Sequence, residues 1–227
     1  MTENKANVPG SGRLVVTGDG SHSVWNAEVG QHYHSIFGAR QESERVFIEL
    51  GLQEAWNRFP QVSILEMGFG TGLNALLTLQ EAGRKQLPVR YTTIEAFPLP
   101  ADEARQLNFD ELLGTDQLAA LHEARWQSWQ PLTPTFSLFK HRGRLQDFRP
   151  DDRYNLVYYD AFAPEGQPEL WTADIFRQIA GYLLPGGLLT TYCSKGYVQR
   201  NLKAAGFRVE KHPGPPRKRE VLRAILE

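Results

Sequence analysis

Residues 63–74 read Ser63-Ile64-Leu65-Glu66-Met67-Gly68-Phe69-Gly70-Thr71-Gly72-Leu73-Asn74. A short apolar run enters a cluster of glycines, and apolar residues then recur at helical spacing (Leu73, Leu76, Leu77). Strand, glycine turn and helix in succession predict the opening unit of a nucleotide-binding α/β domain. Glycine lets the backbone approach a ligand where a side chain would block it. The N–H groups that open the helix favour an anionic group there. A dinucleotide fingerprint of the form G-x-G-x-x-G needs a small third residue, and Leu73 stands at that position. The spacing is instead G-x-G-x-G preceded by Glu66.

This glycine spacing after an acidic residue resembles the first motif of the class I S-adenosylmethionine (SAM) methyltransferases. That motif assigns Glu66, Gly68, Gly70, Gly72 and Asn74 to cofactor binding. A dinucleotide-dependent oxidoreductase is the alternative, which Leu73 disfavours.

Two carboxylates at strand ends extend the reading. Val89–Glu95 reads as the second strand, and Glu95 lies 23 residues beyond Gly72, where a nucleotide fold holds its ribose acid. An ionised carboxylate accepts from both vicinal ribose hydroxyls. Tyr154–Tyr159 reads as the fourth strand, with Asp160 at its end and the aromatic-proline loop Ala161-Phe162-Ala163-Pro164 behind it. Ligands of an open parallel sheet bind beyond the carboxyl ends of its strands, so Gly70, Glu95 and Asp160 converge on one edge. Asp147, after the third strand (Thr135–Phe139), is a candidate acceptor for an adenine amino group.

The other elements complete an α/β sheet. Leu14–Thr17 and Ser23–Asn26 flank a Gly-rich turn and predict a hairpin. Residues 41–58 predict an amphipathic helix, interrupted near Gly51 and stopped by Pro60. Helices are predicted over 98–113, 118–129, 171–184 and 197–205. A fifth strand is predicted over 188–193, and closing strands over 207–211 and 221–226. The expected fold is an α/β, Rossmann-like seven-stranded sheet with an N-terminal β-hairpin and helix extension. Its expected parts are a flexible tail at 1–12, the extension at 13–59 and the catalytic domain at 60–227.

The 227 residues suffice for one such domain. The lone Cys193 excludes an internal disulfide or a cysteine-rich zinc site and fits a reducing cytoplasm. His32 and His34 lack a third ligand at ordinary spacing, so no metal is expected. The polar N-terminus has no signal-peptide core, and no run is long enough to span a membrane. The net charge of −1 hides an asymmetry: from Lys195 onward nine Lys/Arg face three Glu, a net +6 against −7 elsewhere. Such a basic region fits an anionic partner, nucleic acid before membrane.

Gly68–Asn74, Asp160–Pro164, Pro168-Glu169-Leu170-Trp171-Thr172, Ser194-Lys195-Gly196-Tyr197-Val198 and Arg217-Lys218-Arg219-Glu220 occur in this order. With Tyr33-His34-Ser35, Gly38, Glu42 and Val46-Phe47 near the N-terminus, they resemble the MnmC/MnmD-type tRNA methyltransferases. That resemblance implies SAM as cofactor and tRNA as partner. It implies methylation of the primary amine of 5-aminomethyl-(2-thio)uridine at the wobble position. It adds Tyr33, Ser35 and Glu42 to the cofactor set. Asp160 becomes the catalytic carboxylate, Phe162 and Pro164 the base pocket, and Lys195, Arg200, Arg217, Lys218 and Arg219 the phosphate contacts. With no second glycine-rich loop for a flavin-dependent half, a stand-alone methyltransferase is expected, linked in function to the enzymes that install the aminomethyl group. A small-molecule or protein amine is the alternative acceptor.

Overall fold

The computed structural model describes residues 13–227; the tail expected at 1–12 lies outside the described residues. β1 (Arg13–Val16), β2 (His22–Asn26) and β3 (Gln31–His32) form a three-stranded antiparallel sheet. Helix α1 (39–58) follows without a break and is π-helical over Glu44–Gln53. Gly51 therefore does not interrupt it. A Cβ there would meet Tyr158 Cε1 at 3.1 Å and Thr190 Oγ1 at 3.2 Å, so the glycine lets the helix lie close on the sheet.

Then come β4 (Val62–Met67), α2 (Leu73–Lys85), β5 (Val89–Glu95), α3 (Ala101–Ala104), α4 (Phe109–Leu113) and α5 (Leu118–Glu123). β6 (Trp129–Thr133), β7 (Phe136–Arg142), β8 (Tyr154–Tyr159), α6 (Ala173–Ala180) and β9 (Leu183–Thr191) follow. α7 (Gly196–Ala204), β10 (Phe207–Pro213) and β11 (Glu220–Leu226) close the chain. The large sheet has eight strands in the order β10-β11-β9-β8-β4-β5-β7-β6. Seven of them are the expected Rossmann-like arrangement, with β7, β5, β4, β8 and β9 parallel. The eighth, β6, pairs antiparallel with β7 at the edge.

Three helix expectations are corrected. The helix expected over 118–129 ends at Glu123, and Trp129 instead begins the edge strand, its ring 5.5 Å from Phe139 and 4.4 Å from the Arg90 guanidinium. The helix expected over 98–113 splits into α3 and α4. Between them Asn108 donates to Gly20 O at 2.9 Å and accepts from His22 N at 3.0 Å, a tie to the N-terminal sheet that local periodicity does not show. The helix expected over 171–184 covers only Ala173–Ala180. β9 runs through Pro185-Gly186-Gly187, where its register with β8 shifts.

The central strands are buried on both faces, so their sequences are apolar almost throughout. Ile64, Tyr91, Leu156 and Tyr158 face α1 and α2. Leu65, Val157, Tyr159 and Leu189 face the opposite way, in one core with Phe176 of α6 and Val198 of α7. This packing holds the ends of β4, β5 and β8 rigidly at one edge. No helix among the described residues is long and apolar enough to cross a membrane.

Candidate active site

β4 lies between β5 and β8, with Met67 level with Ile94 on one side and Tyr159 on the other. The strand order reverses direction at β4, and a crevice opens there beyond the strand ends. Gly68, Gly70 and Gly72 turn the chain from β4 into α2, all with positive φ (91°, 49° and 79°). At Gly68 a Cβ would sit 3.0 Å from the Asp160 carbonyl oxygen; at Gly70 it would sit 2.8 Å from the Tyr33 ring. Gly70→Ala is therefore expected to cost about 1–2 kcal/mol from backbone handedness alone, with a further cost from displacing Tyr33. Denaturant titration measures the loss; an unchanged midpoint would contradict the contact.

Glu95 braces the glycine loop from the end of β5. Its Oε2 accepts the Gly70 N–H at 3.0 Å and its Oε1 accepts the Phe97 N–H at 2.8 Å. Burial raises its pKa, and these backbone N–H groups oppose the rise. The Ala96 and Phe69 N–H groups act on it in the same sense. On the other side, Asn74 Nδ2 donates to Asp160 Oδ2 at 2.8 Å. Burial pushes the Asp160 carboxyl up to about 7; the Asn74 hydrogen bond and Lys218 pull it down, and the charge of Glu42 adds to the rise.

Glu95, Asp160, Gly68, Gly70 and Asn74 line one cavity together with Tyr33 and Phe162, whose ring centres lie 5.0 Å apart with the planes tilted by 59°. The N-terminal extension supplies lining residues that sequence reasoning missed. Asn26, Val29 and His34 come from it, and Thr71, Phe97 and Gln167 from the sheet-edge loops. His34 is held neutral, its pKa pushed down to about 4 by burial, and its Nε2 lies 2.6 Å from Thr71 Oγ1.

Several expected site residues lie elsewhere. Glu66 is wholly buried under the sheet and does not reach the cavity. Gly72 is the left-handed residue that opens α2, next to His122, and shapes the turn without lining the cavity. Asp147 is exposed on the loop after β7, away from the cavity wall. Pro164 is buried and does not line the cavity. Ser35 and Glu42 face a separate crevice formed with Pro215–Lys218, where Lys218 forms an ion pair with Glu42 and lies 4.5 Å from the centre of the Tyr192 ring.

The basic C-terminal region is also partly spent inside the protein. Lys195 pairs with Glu165, Lys211 with Glu220, and Arg223 with Glu54 and Glu210. Arg200, Lys203, Arg217 and Arg219 form no ion pair among the described residues. Arg217, in the left-handed region at φ 68°, lies 5.2 Å from the centre of the exposed Phe37 ring. No group of three or more metal-ligating side chains occurs among the described residues.

Glu66 and Asp160 set an expected pH dependence of stability. Glu66 is raised by burial, and further by Asp160, from 4.5 to about 8; Asp160 moves from 3.8 to about 7. In both cases the folded state holds the proton more tightly, so stability falls as pH rises through those windows. Thermal unfolding of Glu66→Gln should show a smaller fall than wild type between pH 4.5 and about 8; parallel curves would show that Glu66 does not titrate there.

Residues 140–227 match the family described as S-adenosyl-L-methionine-dependent methyltransferase. The tRNA 5-methylaminomethyl-2-thiouridine biosynthesis bifunctional protein MnmC of Delftia acidovorans is 33% identical over 216 residues, covering 89% of this chain and 33% of that protein. MnmC of Magnetococcus marinus is 30% identical over 244 residues, covering 100% of this chain and 36% of that protein. The chain thus spans about a third of the length of these curated relatives. The crystal structure of MNMC2 from Aquifex aeolicus matches with a TM-score of 0.74 at 26% identity, over 96% of this chain and 71% of that one. By sequence the chain is similar to the MnmC proteins over about a third of their length, and by fold it is similar to MNMC2, with its C-terminal part matching the S-adenosyl-L-methionine-dependent methyltransferase family.

Proposed function

We propose that this chain transfers a methyl group from SAM to the primary amine of 5-aminomethyl-(2-thio)uridine at the tRNA wobble position, in the cytoplasm. The observation that carries the reading is one cavity with a carboxylate at each side of a glycine loop, Glu95 braced for a diol and Asp160 poised near neutrality. The residues fit SAM. Glu95 lines the cavity as a carboxylate acceptor for the ribose hydroxyls, and the glycine loop leaves room for the amino-acid end. SAM supplies a methyl group already activated by its sulfonium.

The protein's own work is to place and deprotonate the amine. An alkyl ammonium has no lone pair and cannot attack. Asp160 offers Oδ1 to the ammonium while Asn74 holds Oδ2, and a carboxyl pushed up to about 7 accepts a proton near neutral pH. Phe162 and Tyr33 present aromatic faces on which an extruded base can stack. The acceptor amine requires an earlier enzyme that installs the aminomethyl group.

The test is incubation with isotopically labelled SAM and tRNA bearing 5-aminomethyl-(2-thio)uridine, followed by mass spectrometry of the nucleosides. One added methyl on that nucleoside is the expected result. Label in a small amine but none in tRNA would replace this reading with the alternative acceptor.

We assign phosphate contacts to Arg200, Arg217 and Arg219, and a structural role to Lys218. Arg217→Ala with Arg219→Ala should weaken tRNA binding and flatten its salt dependence by about 0.7–0.9 per lost phosphate contact. Lys218→Ala should mainly lower stability, because it leaves the nearly buried Glu42 unpaired. Filter binding across a salt series, with a melting curve for each variant, separates the two; an unaltered slope in the double variant would refute the phosphate assignment.

A further inference from the structure

Glu66 is the penultimate residue of β4, level with Thr93 of β5 and Tyr158 of β8, on the sheet face covered by α2. It is 0% exposed, and neither of its carboxyl oxygens has a hydrogen-bond partner. Three more buried atoms are unpartnered beside it: the Asn74 side-chain oxygen and the hydroxyls of Tyr91 and Thr93. Tyr91, Thr93 and Asn74 lie at hydrogen-bonding range of Glu66 and pull its pKa down against the larger rise from burial, though none forms a hydrogen bond of good geometry with it in this conformation. The titratable groups facing Glu66 are Tyr91, Tyr158 and Asp160.

Counting donors and acceptors decides what this cluster is. With Glu66 ionised, a wholly buried charge has no cation among the groups that act on it, and its two oxygens and the Asn74 oxygen share two hydroxyl donors and the second Asn74 N–H. Such a site is strongly unfavourable. With a proton on Glu66, three O–H donors face the Glu66 carbonyl oxygen, the Asn74 oxygen and the hydroxyl oxygens, and the set closes. Burial pushes the Glu66 carboxyl in the same direction. Asn74 spends one of its two side-chain N–H groups on Asp160, and its carbonyl oxygen is the buried atom left without a partner.

We infer that Glu66 is a neutral carboxylic acid that hydrogen-bonds the Asn74 carbonyl oxygen and so positions the Asn74 amide against Asp160. It is a positioning residue and touches neither substrate nor cofactor. Were Asn74 to flip, its carbonyl would face the Asp160 carboxylate, and Asp160 would lose its one hydrogen-bond donor. The role in catalysis rests on the assignment of Asp160 made above; the protonation state does not.

Two kinds of measurement test it. The infrared difference spectrum between wild type and Glu66→Gln at neutral pH should contain the carbonyl band of a protonated carboxylic acid, and needs no substrate. Absence of that band would overturn the inference whatever the enzyme methylates. For turnover, Glu66→Gln replaces one neutral hydrogen-bonding group by another. It should stay within a few-fold of wild type and leave the acidic limb of the rate profile in place. Glu66→Met, of similar length but without a donor, should lower kcat roughly 10- to 100-fold, with KM for SAM unchanged and the limb moved to higher pH. A limb moved to lower pH in Glu66→Gln would mean that a negative charge had been removed, which would also overturn the inference. So would a wild-type rate in a folded Glu66→Met protein. Should Glu66→Met fail to fold, the spectrum and the Glu66→Gln limb decide alone.

Discussion

Glu95→Ala is expected to weaken SAM binding by about 1.5–3 kcal/mol, the range for hydrogen bonds to a charged group, which is roughly a 10- to 150-fold rise in Kd. The carboxylate has two tasks at once. It offers acceptors to the ribose, and it holds the glycine loop through the N–H groups of Gly70 and Phe97. Alanine removes both, and leaves the Gly70 N–H without its partner in a buried position. The loss should therefore lie toward the upper end of the range, with a modest fall in melting temperature even without SAM. Glu95→Gln separates the two tasks. Its amide oxygen can keep one backbone contact, but its NH2 must face the other N–H, so both stability and affinity should fall between wild type and alanine. Calorimetric titration with SAM reads the affinities. An unchanged affinity in a folded Glu95→Ala protein would take Glu95 out of the cofactor site.

Much of this site is legible in the sequence because it is built from strand ends. A strand's length and apolar run mark where it stops, and a parallel sheet brings all such stops to one edge. Glu95, Asp160 and the glycine turn could thus be placed together from three separate segments. What the sequence hides is of two kinds. The first is parity within a strand. Glu66 stands next to the glycine turn, where the motif puts an acid, yet it shares a face with Ile64 and lies level with Tyr158. The period-two alternation Ile64, Glu66 was the signal that it points under α2. The second is distance along the chain. Lys218 meets Glu42 across 176 residues and Ala163 meets Gln31 across 132. No local pattern reports such pairs. For the same reason Asn26, Val29 and His34 were not foreseen in the cavity wall, and the C-terminal charge excess overstated the arginines and lysines free to meet phosphate.

Asp160→Asn is expected to slow methyl transfer by roughly 10²–10⁴-fold, the span for a positioned acid–base group, with folding and SAM affinity close to wild type. The substitution keeps the size of the side chain. It removes the charge that holds an ammonium and the lone-pair basicity that takes its proton. Asn74 would then donate to an amide oxygen in place of a carboxylate, so the local hydrogen bond survives. The pH profile gives the sharper test. Burial sets the Asp160 carboxyl near 7, so in wild type the rate should climb as pH rises through that value, where the carboxylate becomes the dominant form. The inflection near 7 should vanish in Asp160→Asn. There the rate should follow only the neutral fraction of the substrate amine and keep rising into alkaline solution, so the deficit against wild type narrows with pH. Single-turnover rates with preformed enzyme–SAM complex and tRNA in excess would isolate the transfer step from product release. A neutral-pH rate equal to wild type, or an inflection near 7 that persists in the variant, would remove Asp160 from proton transfer. Asp160 would then serve only to cap the loop through Asn74.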